Sequence, residues 1–104
     1  MVKLTLLFGH PDDPDAFDRH FSETHLPLFA KVKERPRFEL ARTVGAPDGG
    51  PAAYYQIAEM WFDSLEAMHE LLETPEMKVA VGDLANFASG GVTIFASELL
   101  KVNM

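Results

Sequence analysis

Apolar residues in this chain recur first at every second position, then at every third or fourth, then again at every second, and few folds accept that order. From Lys3 to Gly9, Leu4, Leu6 and Phe8 share one face and Thr5 and Leu7 the other, which reads as a strand. Asp13 then offers a side-chain cap and Pro14 suits a first helical position, where its missing N–H is harmless. Phe17, Phe21, His25, Leu28 and Val32 follow as one helical face. Pro27 removes a backbone donor and crowds the preceding turn, so a kink or break is expected near Thr24 to Leu26.

The second half repeats the pattern. Arg37 to Gly45 reads as a strand with Phe38, Leu40 and Val44 on one face. A Gly- and Pro-rich loop over residues 45–51 joins it to a third strand, Tyr54 to Phe62, as an antiparallel hairpin. Asp63 is the expected cap of the next helix, with Glu66 completing a capping-box pattern and Leu65, Met68 and Leu72 as its buried stripe. Thr74 and Pro75 restart the helix, whose second stripe is Met77, Ala80, Val81, Leu84 and Phe87. Gly90 and Gly91 end it before a last strand, Val92 to Leu100. The order β-α-β-β-α-β predicts a single α+β domain of the ferredoxin-like kind over residues 1–104, with a four-stranded antiparallel sheet.

That architecture leaves a debt. Two helical segments cover one face of a four-stranded sheet, while the other carries Tyr, Trp, Ile, Phe and Leu candidates that should not stay wet. A second copy packed on that face is the simplest cover, so the chain is expected to form a homodimer. Hydrophobic residues are 47% of the 104, enough for a packed core. A formal charge of −7, with no basic run against it, argues against nucleic acid and anionic membranes as partners. The absence of Cys removes disulfides, thiolate catalysis and Cys-ligated metals, and fits a cytoplasmic protein. No stretch approaches the roughly 20 apolar residues of a membrane span.

The stretch from Phe17 through Ser22 and Glu23 to His25-Leu26-Pro27-Leu28 resembles the signature of the EthD family, an aromatic-rich first helix ending in a His-x-Pro-Leu step. Tyr54 to Ala67, with its Phe62-Asp63-Ser64-Leu65-Glu66-Ala67 end, is similar to the family's third strand and the start of its second helix. The resemblance implies a homodimer whose sheets close into a dimeric α/β barrel with a pocket in each half. The family takes its name from bacterial ethyl tert-butyl ether degradation, and many relatives are labelled EthD family reductase. Cyclase-like relatives on this fold carry His-Pro-x-His where this chain has Thr74-Pro75-Glu76-Met77.

His25 is the leading catalytic candidate, since an imidazole near neutral pH serves as acid, base or hydrogen-bond donor. Its structural alternative is a buried ring bonded to a carbonyl freed by Pro27. Along the third strand Tyr55, Ile57, Glu59 and Trp61 alternate on one face, and Ala58, Met60 and Phe62 are the expected helix-facing set. Glu59 is therefore the second catalytic candidate. Tyr55, Trp61 and Ile57, with Phe21 from the helix, are the candidate ligand-binding residues. Filling of the dimer interface is the competing role for the strand residues. His10, His20 and His69 are weaker candidates, and His20 and His25, five positions apart, should not share a face of an α-helix. No metal-ligand spacing is present. Neither glycine pair belongs to a dinucleotide-binding Gly-x-Gly-x-x-Gly motif, so no cofactor is expected. Two functions follow: a cofactor-independent enzyme (oxidoreductase-, cyclase- or isomerase-like) acting on a small apolar oxygenated compound, or a non-catalytic small-molecule-binding or accessory protein of a degradation pathway. In either case an apolar cavity is expected between the sheet and the first helix, with His25 and either Tyr55 or Glu59 at its edge.

Overall fold

The computed structural model describes all 104 residues. Strands β1 (Val2–Phe8), β2 (Arg37–Arg42), β3 (Gln56–Phe62) and β4 (Val92–Glu98) form one antiparallel sheet in the order β2-β3-β1-β4. Helices α1 (Pro14–His20), α2 (Leu26–Ala30), α3 (Leu65–Leu72) and α4 (Pro75–Phe87) supply the second layer. The β-α-β-β-α-β order and the ferredoxin-like arrangement therefore hold, with β1 shifted back by one residue and the other three strands shorter than their sequence patterns suggest. The molecule is a slab 41 × 36 × 17 Å, thin because helices lie on one side of the sheet alone. No helix is long and apolar enough to cross a membrane.

The register fixes which side chains meet the helices. Leu4, Leu6 and Phe8 of β1 pair with Met60, Ala58 and Gln56 of β3, and paired residues project to the same side. Phe8 is 1% exposed and sits among Phe17, Phe21 and Phe87, with ring centroids 5.5, 6.2 and 6.1 Å away. Edge-to-face and offset contacts of this kind add to the burial of apolar area. The strand end carrying Phe8 is pinned by backbone packing. Gly9 donates to the Gly91 carbonyl at 2.9 Å, and a Cβ on Gly9 would collide with the carbonyl of Gly90. Backbone segments approach this closely only where both sides are glycine.

The opposite face presents Lys3, Thr5 and Leu7 of β1, Ile57, Glu59 and Trp61 of β3, Arg37, Glu39 and Ala41 of β2, and Thr93, Phe95 and Ser97 of β4. No helix covers it. Thr5 is nevertheless buried, and its hydroxyl has no hydrogen-bond partner.

The helix caps follow sequence logic with one shift. Asp13 accepts from the Ala16 amide at 3.2 Å, and Thr74 from the Met77 amide at 3.4 Å. The third helix is capped by Ser64, not by Asp63: the Ser64 hydroxyl accepts from Ala67 at 3.1 Å. A hydroxyl caps as well as a carboxylate. Here the extended backbone conformation falls on Ser64, and Leu65 at the helix start stays about half exposed.

Candidate functional site

The first helical stretch is not one α-helix. Between α1 and α2 the chain makes a π-helical segment, Phe21–His25, in which the Leu26 amide reaches back five residues to the Phe21 carbonyl. Pro27, at the start of α2, follows directly, so the break expected near Thr24 to Leu26 takes the form of a π segment in place of a simple kink. Such segments insert one residue into a helix and recur at functional sites. The insertion has two consequences. Phe29 replaces Leu28 as the buried residue after His25. More importantly, His20 and His25 now share a side, against the expectation for an α-helix, because five residues close a π-helical turn.

Both imidazoles converge on Asp83 of α4. His20 Nε2 lies 2.9 and 3.0 Å from its two carboxylate oxygens, and His25 Nδ1 lies 3.0 Å from Oδ2. Asn86, one turn further along α4, donates from Nδ2 to Oδ1 at 2.9 Å. Asp83 is only 5% exposed, and a buried carboxylate persists only when its lone pairs are met. Burial by itself would raise its pKa. Hydrogen bonds from Asn86, His20 and His25 outweigh that and hold the carboxyl below the ordinary value of 3.8, so it is ionised at neutral pH. An ionised carboxylate only accepts, so each facing ring nitrogen carries a proton. His25 is therefore fixed with its proton on Nδ1. Its Nε2 bonds to no protein group and is not among the buried unpartnered atoms, so it is accessible. Phe87 stacks on His20 at 4.8 Å and flanks His25 at 5.0 Å, and Phe21 flanks His25 at 5.2 Å, so both rings are held by packing as well.

His25 lines a cavity of about 60 Å³ between the sheet and the helices. Thirteen of its fifteen lining residues are hydrophobic, among them Leu6, Phe21, Met60, Met77 and Leu84; the others are His25 and Glu59. Phe38, Leu40 and Val81 border the cavity and also face solvent at 40, 40 and 43% exposure, which puts its mouth between edge strand β2 and α4. Val81, expected in the buried stripe of α4, is thus at the rim, and Asp83 takes a buried place instead.

The other candidates divide. Phe21 is buried and lines the cavity with His25. Glu59 borders it, but strand alternation turns its carboxylate to the opposite face, where it pairs with Lys3 at 2.9 Å. Ile57 and Trp61 lie on that same open face, Trp61 beneath the Arg37 guanidinium at 4.3 Å. Tyr55 departs from the alternation expected of it. It precedes β3, packs edge-on against Phe17 at 5.1 Å, and donates to Asp18 at 2.9 Å under the Arg42 guanidinium. Burial, then the bond to Asp18, pushes its pKa above the usual 10.0. His10 bonds the Ala52 carbonyl at 2.8 Å. No three His, Asp or Glu side chains are arranged to hold a metal ion.

Comparison with known proteins settles the lineage. The EthD domain model matches residues 10–91, which contain the π segment and Asp83. The chain belongs to the EthD family. It is similar to an EthD family protein from Bacillus halodurans, with a TM-score of 0.87, 34% identity, and coverage of 96% of this chain and 99% of that one. It is also 37% identical over 98 residues to an uncharacterized 11.0 kDa protein of the thcB–thcC intergenic region of Rhodococcus erythropolis, covering 94% of each. A dimeric Bacteroides fragilis protein of ferredoxin-like fold and unknown function shares the fold at a TM-score of 0.65 and 20% identity, over 94% of this chain and 95% of that one.

Burial sets the acid–base character of His25 in this EthD protein. Desolvation, the largest influence, lowers its pKa, Asp83 opposes through a hydrogen bond and its charge, and His20 adds a small lowering; the net pKa is below 6.5. The unfolded chain then takes up a proton at higher pH than the folded one. Stability contributed by neutral His25 is complete above about pH 6.5 and lost as pH falls through the lower folded value. Thermal unfolding should therefore show a Tm that declines as pH drops below about 6.5. His25→Asn should remove that part of the decline; an unchanged profile in the variant would assign the acid sensitivity elsewhere. The lowered Asp83 pKa adds a separate loss only in stronger acid, below 3.8.

Proposed function

We propose that this EthD protein is a homodimeric, cofactor-independent acid–base catalyst acting on a small apolar oxygenated compound, with His25 as the proton-accepting group. The observation that carries the reading is the state of His25. Its Nδ1 proton is held by an ionised buried carboxylate, its Nε2 is accessible, and its ring lines an apolar cavity. A base oriented by a carboxylate through the other ring nitrogen is how imidazoles are prepared for proton abstraction. A depressed pKa keeps His25 neutral, hence basic, at physiological pH. A mostly apolar pocket with one placed polar group is the usual form of a small-molecule site. Asp83, His20 and Asn86 are the groups that position the base. Glu59 serves the open face instead, where it and Lys3 form an ion pair.

The deciding experiment is identification by mass spectrometry of the compound that co-purifies, followed by its incubation with the protein and no added cofactor. Conversion supports catalysis. Retention of the compound unchanged at full occupancy would replace this reading with that of a binding or accessory protein.

The homodimer rests on the uncovered sheet face, where Leu7, Ile57, Trp61 and Phe95 lie together on adjacent strands. The unmodified chain should sediment at twice its 11.6 kDa mass. Trp61→Glu, which adds a third carboxylate to the face that holds Glu39 and Glu59, should give monomer or insoluble chain. A well-folded monomer in the unmodified protein would end the dimer reading.

A further inference from the structure

We infer that the cavity selects neutral ligands that carry a hydroxyl group as hydrogen-bond donor, over carbonyl compounds and carboxylates of the same size. The inference deepens the reading of this cavity as the ligand site and rests on it. It follows from a count of protons. Asp83 accepts from three donors, His20 Nε2, His25 Nδ1 and Asn86 Nδ2, and has no proton of its own to give. The carboxylate thus obliges His25 to keep its single proton on Nδ1. Turning the ring over would set a carbon against Asp83 and forfeit that bond. Neutral His25 therefore meets a ligand with a lone pair at Nε2 and nothing else.

No other wall changes this. The charged and titratable groups that face His25 are Asp83 from α4 and His20 from α1. The sheet offers Leu6, Ala58 and Met60, and the Glu59 carboxylate on the far face is engaged by Lys3. A hydroxyl ligand gives its proton to Nε2. A ketone sets lone pair against lone pair and leaves its oxygen without a donor, which costs the desolvation of that group. A carboxylate meets the same lone pair, finds no cation in the cavity, and approaches a chain of formal charge −7. Acid inverts the preference: once Nε2 is protonated, it donates, and acceptors gain.

Four-carbon probes are about as bulky as benzene, which takes a cavity of roughly 150 Å³, so in this smaller cavity they seat the polar end by His25 and let the alkyl end extend through the mouth between β2 and α4. The test is a titration of ¹⁵N-histidine-labelled protein with n-butanol, butanone and butyrate, read at the His25 ring nitrogens. Above the His25 titration, n-butanol should bind about tenfold more tightly than butanone or butyrate, the scale of one net hydrogen bond, and shift Nε2. Below it, the order of n-butanol and butanone should reverse. His25→Phe, which keeps an aromatic ring in the wall, should level the alcohol and the ketone. Equal binding of all three with shifts at His25 Nε2, or discrimination that survives in His25→Phe, would overturn the donor rule and leave the cavity as the binding site. No shift at His25 with any probe would overturn the rule together with the reading beneath it.

Discussion

Under the proposed acid–base role, His25→Asn is expected to keep the fold and the proposed dimer while turnover of the co-purified compound falls by about 10²–10⁴-fold, the range associated with loss of a positioned general base. Asparagine is smaller than histidine, polar and uncharged, so Asp83 is not left beside an apolar group. The replaced ring is already a burden in acid, because burial opposes its protonation. Asn has no group that accepts a proton near neutral pH, so the proposed chemical step loses its base. Asp83→Asn should cost a comparable part of the rate by another route. An amide in place of the carboxylate no longer compels the Nδ1–H tautomer, and the Nε2 lone pair is then not guaranteed. The measurement is kcat on the co-purified compound, beside Tm and sedimentation for each variant. Wild-type turnover in His25→Asn would remove His25 from the chemistry, and a large drop in Tm with unchanged rate would make it structural.

Phe8→Ala should lower stability by about 3–5 kcal/mol, the usual cost of deleting a buried Phe ring. Phe8 is one of the two most completely buried side chains, with Phe17. It touches rings from the first helical stretch, Phe17 and Phe21, and from α4, Phe87. Its removal opens a gap where the two helical elements that carry His20, His25 and Asp83 meet the sheet. Gly9, pinned against Gly90, prevents the strand end from moving in to fill it. For a domain of this size Tm should fall by about 15 °C or more. A change of only a few degrees in thermal or urea unfolding would show that the helices collapse onto the vacancy and that the phenylalanine cluster is not the keystone argued here.

Much of the fold is legible in the residues themselves. Alternation at Leu4, Leu6 and Phe8 and the helical stripe through Met77, Ala80, Leu84 and Phe87 each follow from one local period, so the element order is readable. Pro14, Thr74 and Pro75 mark helix starts because capping is decided within a few residues. The neighbouring choice between Asp63 and Ser64 is not readable, since both cap well and only the backbone conformation selects one. The family, too, is visible in the His-Leu-Pro-Leu step and the third-strand motif, and the match over residues 10–91 bears it out.

The site is a different matter. His25 stands out by residue type and by its place on an apolar face, and Phe21 accompanies it. Asp83 carries a signal that is easy to pass over: a carboxylate between Ala80 and Phe87 on a helix stripe that is otherwise apolar. His20 gives none under α-helical geometry, because a turn of about 3.6 residues carries it away from His25. Sequence by itself determined the elements, the sheet face that the helices cover, and the presence of a histidine next to the core, because those depend on short-range periodicity and burial. Tertiary structure decided that a π segment swings His20 beside His25, that Asp83 receives both, and that Glu59 and Tyr55 point elsewhere. Those outcomes depend on a one-residue change in helix register and on contacts between residues about 60 positions apart, which no local spacing encodes.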